Sequence, residues 1–154
     1  MLTTHKISAD FYDDSFKLIA IHSGLEDYAM TYAINANCGL YLNRMANDLH
    51  VDENLSFSIF DWDDEVHDTY WTLISNKCLI EVMVPSEGFF ENSTSFRTDY
   101  LIEERKEVDY FLKIDTVDTS VFDQLVKVVN KIPRVVTAYP IEAQTLKSKR
   151  NLIF

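Results

Sequence analysis

Residues 108–141 constrain this chain more than any other stretch. In "VDYFLKID" apolar and polar positions alternate. Val108, Tyr110, Leu112 and Ile114 fall on one side and Asp109, Phe111, Lys113 and Asp115 on the other, which is the two-residue period of a strand. The period then changes. In "TSVFDQLVKVVNKIP" the apolar residues Phe122, Leu125, Val126, Val129 and Ile132 recur at helical intervals. Ser120 and Asp123 stand at capping spacing and Pro133 is a stop. "RVVTAYPI" returns to β-forming residues, so the stretch predicts a strand–helix–strand unit.

The remaining segments extend that unit. "FKLIAIHS" has the length and composition of a strand, and "HKISAD" before it is a candidate partner. A first helix is expected between the Ser23/Glu26 capping pair and Gly39, its stripe of Leu25, Tyr28, Ala29, Tyr32, Ala33 and Ala36 facing the core. "LSFSIFDW" and "DTYWTLISNKCLIEVMV" predict strands joined antiparallel across Asp61 to Asp68. Residues 85–99, "PSEGFFENSTSFRTD", show neither period and predict a long loop. "NLIF" predicts a short terminal strand. With no repeat and no linker, residues 1–154 form one expected α+β domain. Its sheet is largely antiparallel, two main helices lie on one face, and a ferredoxin-like core with an inserted hairpin fits the order.

Composition narrows the function classes. A net charge of -11 repels phosphate backbones and anionic lipid surfaces, so neither nucleic acid nor membrane is an expected partner. The basic cluster "KSKR" near the C-terminus reads as solvated. No window approaches the ~20 apolar residues of a membrane span, and the sequence predicts a cytoplasmic protein with Cys38 and Cys78 reduced. Gly24, Gly39 and Gly88 are too scattered for a phosphate-cradling loop or a dinucleotide fingerprint. An EF-hand starting at Asp61 needs Gly and Glu where this chain has Val66 and Thr72. His5, His22, His50 and His67 lack zinc spacing. Neither metal nor cofactor is expected.

Glu103, Glu104, Glu107 and Asp109, interleaved with Arg105 and Lys106, read as a charged loop anchoring the approach to a strand. The same stretch, "IEERKEVDY", resembles the signature of the IPExxxVDY family of Bacteroidetes proteins. The similarity extends to "IAIHSGLEDYAMTYAINANCGL", "YWTLISNK" and "LKSKRNLIF". Ile102, Glu104, Val108, Asp109 and Tyr110 match the signature, while Glu103 stands where the family has proline, so a proline-stiffened turn is not carried over. The resemblance implies a bacterial cytoplasmic setting and supplies no mechanism.

Three functions compete. The first is a non-catalytic interaction or regulatory domain that self-associates. Phe16 and Leu18 oppose Ile19 and Ile21, and Val135 and Tyr139 oppose Val136 and Ala138, so the sheet is apolar on both sides. Two helices cover one side, and a second copy or protein partner is expected on the other. The second is a small-metabolite sensor using Phe89, Phe90 and Arg97 in a cleft under the loop at 85–99. The third is an acid/base enzyme built on Glu104, Asp109 or a histidine. The signature itself reads as scaffolding, with Val108 and Tyr110 sharing a buried face.

Overall fold

The computed structural model describes residues 16–85, 88, 93–116 and 118–154; the expected strand "HKISAD" and His5 lie outside them. In chain order the elements begin with β1 (Lys17–Ser23), α1 (Asp27–Cys38), β2 (Asn43–Arg44), β3 (Leu49–His50), β4 (Ser56–Phe57) and β5 (Ile59–Asp64). There follow β6 (Thr69–Ser75), β7 (Lys77–Val84), β8 (Ser93–Tyr100), β9 (Tyr110–Thr116), α2 (Phe122–Asn130) and β10 (Val135–Ile141). Short 3-10 turns occupy Glu103–Arg105, Ala143–Thr145 and Lys149–Leu152.

Six strands form one sheet in the order β10-β1-β9-β6-β5-β2. Every neighbouring pair in it is antiparallel. Within it β1, α1, β6, β9, α2 and β10 make the β-α-β-β-α-β path of a ferredoxin-like core, with sheet order β10-β1-β9-β6. The chain is an α+β domain, as expected. Two insertions decorate that core: β2 to β5 follow α1, of which β2 and β5 widen the sheet while β3 and β4 pair separately, and the separate β7–β8 hairpin follows β6.

Both helices pack on one face. Ile19, Ile21, Leu73, Leu112 and Ile114 meet Met30 and Ile34 of α1 and Leu125, Val129 and Ile132 from α2 and its C-terminal turn. The α2 stripe is therefore the expected one. On α1 the buried face is instead Met30, Thr31 and Ile34, and Tyr28 and Tyr32 are exposed. Alanine, tyrosine and asparagine surround this helix almost evenly, so its sequence offers more than one stripe, and packing against the sheet selects between them. The expected caps also differ. Helix α1 starts at Asp27 after Glu26, and α2 at Phe122 after Val121, neither with a side-chain cap. Gly39 does end α1 in the left-handed region (φ 68°), where its amide donates to Asn35 O at 3.0 Å.

The other face of the sheet is covered by the chain itself. Leu18, Ala20, Ile74 and Phe111 pack against Leu101, Ile102 and Val108 and against Ala143, Leu146 and Leu152 from the C-terminal segment. The chain's own segments thus occupy the face on which a second copy or protein partner is expected. The same packing separates Val108 from Tyr110: both are buried, but Val108 precedes the strand and packs in this layer, whereas Tyr110 belongs to the helix side. "NLIF" contributes a 3-10 turn rather than a strand. Of the expected loop at 85–99, residues from Ser93 onward are strand β8, paired with β7 in register from Lys77↔Tyr100 to Val84↔Ser93. No helix among the described residues is long and apolar enough to cross a membrane.

Candidate functional site

The signature residues sit where several chain segments are tied together. Asn76, between β6 and β7, is wholly buried. Its amide group donates to the carbonyls of Arg105 (2.8 Å) and Val108 (2.9 Å), and its Oδ1 accepts from Ile102 N at 2.8 Å. Its main chain adds two more bonds, donating to Asp109 O and accepting from Leu101 N, both at 2.9 Å. One side chain thus satisfies the inward-facing polar groups of a turn that could not otherwise be buried.

Asp109 leaves that turn and fastens two further segments. Its backbone amide donates to Ile21 O at 3.0 Å, and its Oδ2 accepts from Ser23 N at 2.9 Å at the end of β1. Its Oδ1 forms an ion pair with Lys77 at the start of β7. Tyr110 is buried and donates its hydroxyl to Leu25 O at 2.5 Å, fixing the connection between β1 and α1. Burial, reinforced by the negative charges of Asp27, Glu26 and Asp109, pushes its ionisation well above the ordinary tyrosine range.

Glu104 turns away from these residues. Its two carboxylate oxygens accept from Ser148 N and Ser148 Oγ, both at 2.8 Å, and Asn151 Nδ2 reaches Leu101 O at 2.8 Å nearby. Partial burial opposes its charge, but the Ser148 and Lys147 donors prevail and hold its pKa below the usual glutamate value. Ile102 is apolar and fully buried. The five matched residues are therefore brought into one region with two outlooks, Asp109 and Tyr110 toward α1 and Glu104 toward the C-terminal segment.

Asp109 and Tyr110 line a polar cleft of about 640 Å³ together with the start of α1, Arg44, Asp48 and Lys77. Its charges are largely consumed internally. Lys77 pairs with Asp109, and Arg44 pairs with Asp48, whose other oxygen accepts from Ser56 Oγ at 3.0 Å. Burial opposes ionisation of Asp48, yet Arg44 and Ser56 keep its pKa low. Glu104 is not part of the cleft lining. The arrangement binds segments to one another.

Phe89 and Phe90 lie outside the described residues. Arg97 stands on β8 with an exposed side chain paired to Asp99 at 2.7 Å, and it does not line this cleft. His22 Nε2 lies 3.0 Å from the Tyr139 hydroxyl, and His67 Nδ1 lies 2.7 Å from Asp64 Oδ2. Cys38 is packed beside the end of α1, where burial raises its thiol to about 11. Asn76 was invisible to sequence reasoning because a lone Asn between β-forming runs reads as a turn residue. Its one available signal was its place in "YWTLISNK", a segment carrying the family resemblance.

Comparison of the chain with protein-family models, curated proteins and solved structures finds no match.

Proposed function

We propose that this chain is a non-catalytic interaction domain that self-associates, and that its contact element is the β7–β8 hairpin. The observation that carries this reading is the hairpin's isolation: among the described residues it pairs with no third strand, so its outer edges offer backbone groups for pairing. A two-stranded hairpin on its own is marginal in water. Register places Leu79, Glu81 and Met83 of β7 on the same face as Thr94, Phe96 and Thr98 of β8. On that face Leu79, Met83 and Phe96 are 68, 74 and 64% exposed. Ile80 and Val82 on the opposite face are only half-buried. Two such hairpins packed with these faces against each other about a twofold axis would remove the apolar patch from water.

We further propose membership of the IPExxxVDY family and a bacterial cytoplasmic setting. Support comes from where the resembling segments lie: Ser23 and Leu25, Asn76, the turn at 101–110, and Ser148 with Asn151 are joined by direct hydrogen bonds.

Light scattering coupled to size-exclusion chromatography tests the contact. A dimer is expected for the native chain at about 50 µM, and a Leu79→Lys/Phe96→Lys variant should elute as a monomer with unchanged far-UV circular dichroism, since both positions are exposed. A native chain that stays monomeric at this concentration, or a double variant that stays dimeric, would refute the proposal.

A further inference from the structure

The sheet edges of this chain differ in whether they admit another strand. The six-stranded sheet ends in β10, which carries Pro140, and in β2, which is two residues long. Strands β3 and β4 are equally short. Proline and shortness both keep an edge from pairing. The β7–β8 hairpin has neither device: each strand runs eight residues in an unbroken register.

Which backbone groups point outward follows from the base of the hairpin. Asn76 and Leu101 continue the register of Lys77↔Tyr100, and Leu101 N donates to Asn76 O at 2.9 Å, so residue 101 bonds inward. Inward and outward positions alternate along an antiparallel strand. On β8 the inward set is therefore Ser93, Ser95, Arg97 and Asp99, and the outward set is Thr94, Phe96, Thr98 and Tyr100. Every outward residue is uncharged and of a β-forming type. On β7 the outward set is Lys77, Leu79, Glu81 and Met83, and its two charges discourage pairing. Ser93 to Thr98 are exposed, and Arg97 and Asp99 neutralise each other at 2.7 Å. Among the described residues, β8 thus offers a long edge without a guard.

The backbone donors and acceptors of such an edge are matched by another extended strand. Its own copy fits it. With a twofold axis at Phe96, outward positions oppose outward positions: Phe96 meets its counterpart, and Thr94 meets Thr98 on each side of the axis. Aromatic and threonine pairs are favourable cross-strand neighbours. Ser95 then opposes Arg97 and Ser93 opposes Asp99, so no like charges stand opposite. An axis at Arg97 would set two guanidiniums against each other, and one at Ser95 would lose the aromatic pair.

We propose that β8 pairs antiparallel with β8 of a second copy, Phe96 against Phe96 and Thr94 against Thr98, joining two hairpins into one four-stranded sheet. This contact goes beyond the one through the apolar hairpin face and does not depend on it. The edge axis runs perpendicular to the hairpin's sheet and the face axis lies parallel to it, so the two together build a tetramer of D2 symmetry.

Sedimentation velocity of the full chain in about 0.15 M salt, which screens repulsion between acidic copies beyond about 8 Å, tests the edge. The native chain should pass from dimer at about 50 µM to tetramer toward about 500 µM. Thr94→Pro deletes an outward N–H at a position where an edge strand tolerates proline, and should stop at the dimer with unchanged far-UV circular dichroism. Thr94→Lys/Thr98→Lys sets like charges opposite each other and should stop there too, whereas Thr94→Lys/Thr98→Asp sets unlike charges opposite and should restore the tetramer. Leu79→Lys disables the face alone and should still dimerise at about 500 µM. Loss of the native dimer at about 50 µM would strike only the face contact. The edge proposal is overturned by native assembly at about 500 µM that a folded Thr94→Pro or Thr94→Lys/Thr98→Lys leaves unchanged, by a monomeric Leu79→Lys at that concentration, or by a Thr94→Lys/Thr98→Asp variant assembling no better than the like-charge one.

Discussion

At the scale of single residues, Asn76 is the position where one atom decides most. It donates twice and accepts once through its side chain, all three partners being main-chain groups of the turn at 102–108. Asn76→Ala would leave the Ile102 N–H and the Val108 carbonyl unpaired, at about 1–3 kcal/mol each before relaxation, while Arg105 O keeps the Val108 amide. A loss of at least about 2 kcal/mol in urea unfolding is expected. Asn76→Asp should be worse still despite its near-identical shape, because a carboxylate accepts only and would face both carbonyls. A destabilisation under about 1 kcal/mol for both variants would show that the turn is held elsewhere. Glu104 makes a different prediction. Its pKa is lowered in the folded state, so its contribution is fully present above the unfolded value of about 4.3 and is lost as pH falls through the folded value. Glu104→Gln should therefore be less stable than the native chain at neutral pH, and the gap should close as pH falls toward about 3. Melting curves across that range check it, and a gap independent of pH would count against a charge-assisted bond to Ser148.

Individual elements differ in how firmly the rest of the molecule holds them, and β7–β8 is the least supported. β1 lies between β9 and β10 and is buried on both faces, whereas the hairpin's residues 93–98 are all exposed. Amide exchange at low protein concentration should accordingly be orders of magnitude faster in β7 and β8 than in β1 and β9, and slow as concentration rises if the hairpin is a contact surface. Uniform protection across both sheets in the monomer would contradict the hairpin's isolation. The same contrast explains which elements were legible in the sequence. Helix α2 declares itself by one apolar stripe, and β9 and β10 by the β-forming residues on either side of it, although β9 buries Phe111 on the face opposite Leu112. Helix α1 does not: Tyr28 and Tyr32 looked like core, yet Tyr28 lies on the surface with its ring edge-on to Phe60 at 5.5 Å. The continuous run "YWTLISNKCLIEVMV" concealed a break at Asn76, since a strand leaving one sheet for another keeps its β-forming composition. The signature acids Asp109 and Glu104 bond to Ser23, Lys77 and Ser148, which lie 86, 32 and 44 residues away. No local pattern encodes such distances.

On the scale of the whole molecule, the sheet has two apolar faces and the chain covers both without help. The two helices close one side, and the turn at 101–108 together with the C-terminal segment closes the other. This cover is tied down at its polar points by Glu104 to Ser148 and Asn151 to Leu101, so the tail is a third structural layer and not an appendage. Lys113 illustrates how far that layer reaches: it is 7% exposed on the sheet and lies 4.8 Å from the Phe16 ring centre and 4.9 Å from that of Phe154. If the tail is the natural cover of this face, its buried apolar residue must carry core-like energy. Leu152 is fully buried, and Leu152→Ala is expected to cost about 3 kcal/mol, equivalent to roughly 6–12 °C in melting temperature for a domain of this size. Ile153, its half-exposed neighbour, serves as the control, with Ile153→Ala expected to stay within about 0.5 kcal/mol. Differential scanning calorimetry of the two variants reads both numbers. Equal, small effects would mean that the tail packs loosely and that the second face has to find its cover in another molecule, which would move the self-association surface from the hairpin to the sheet.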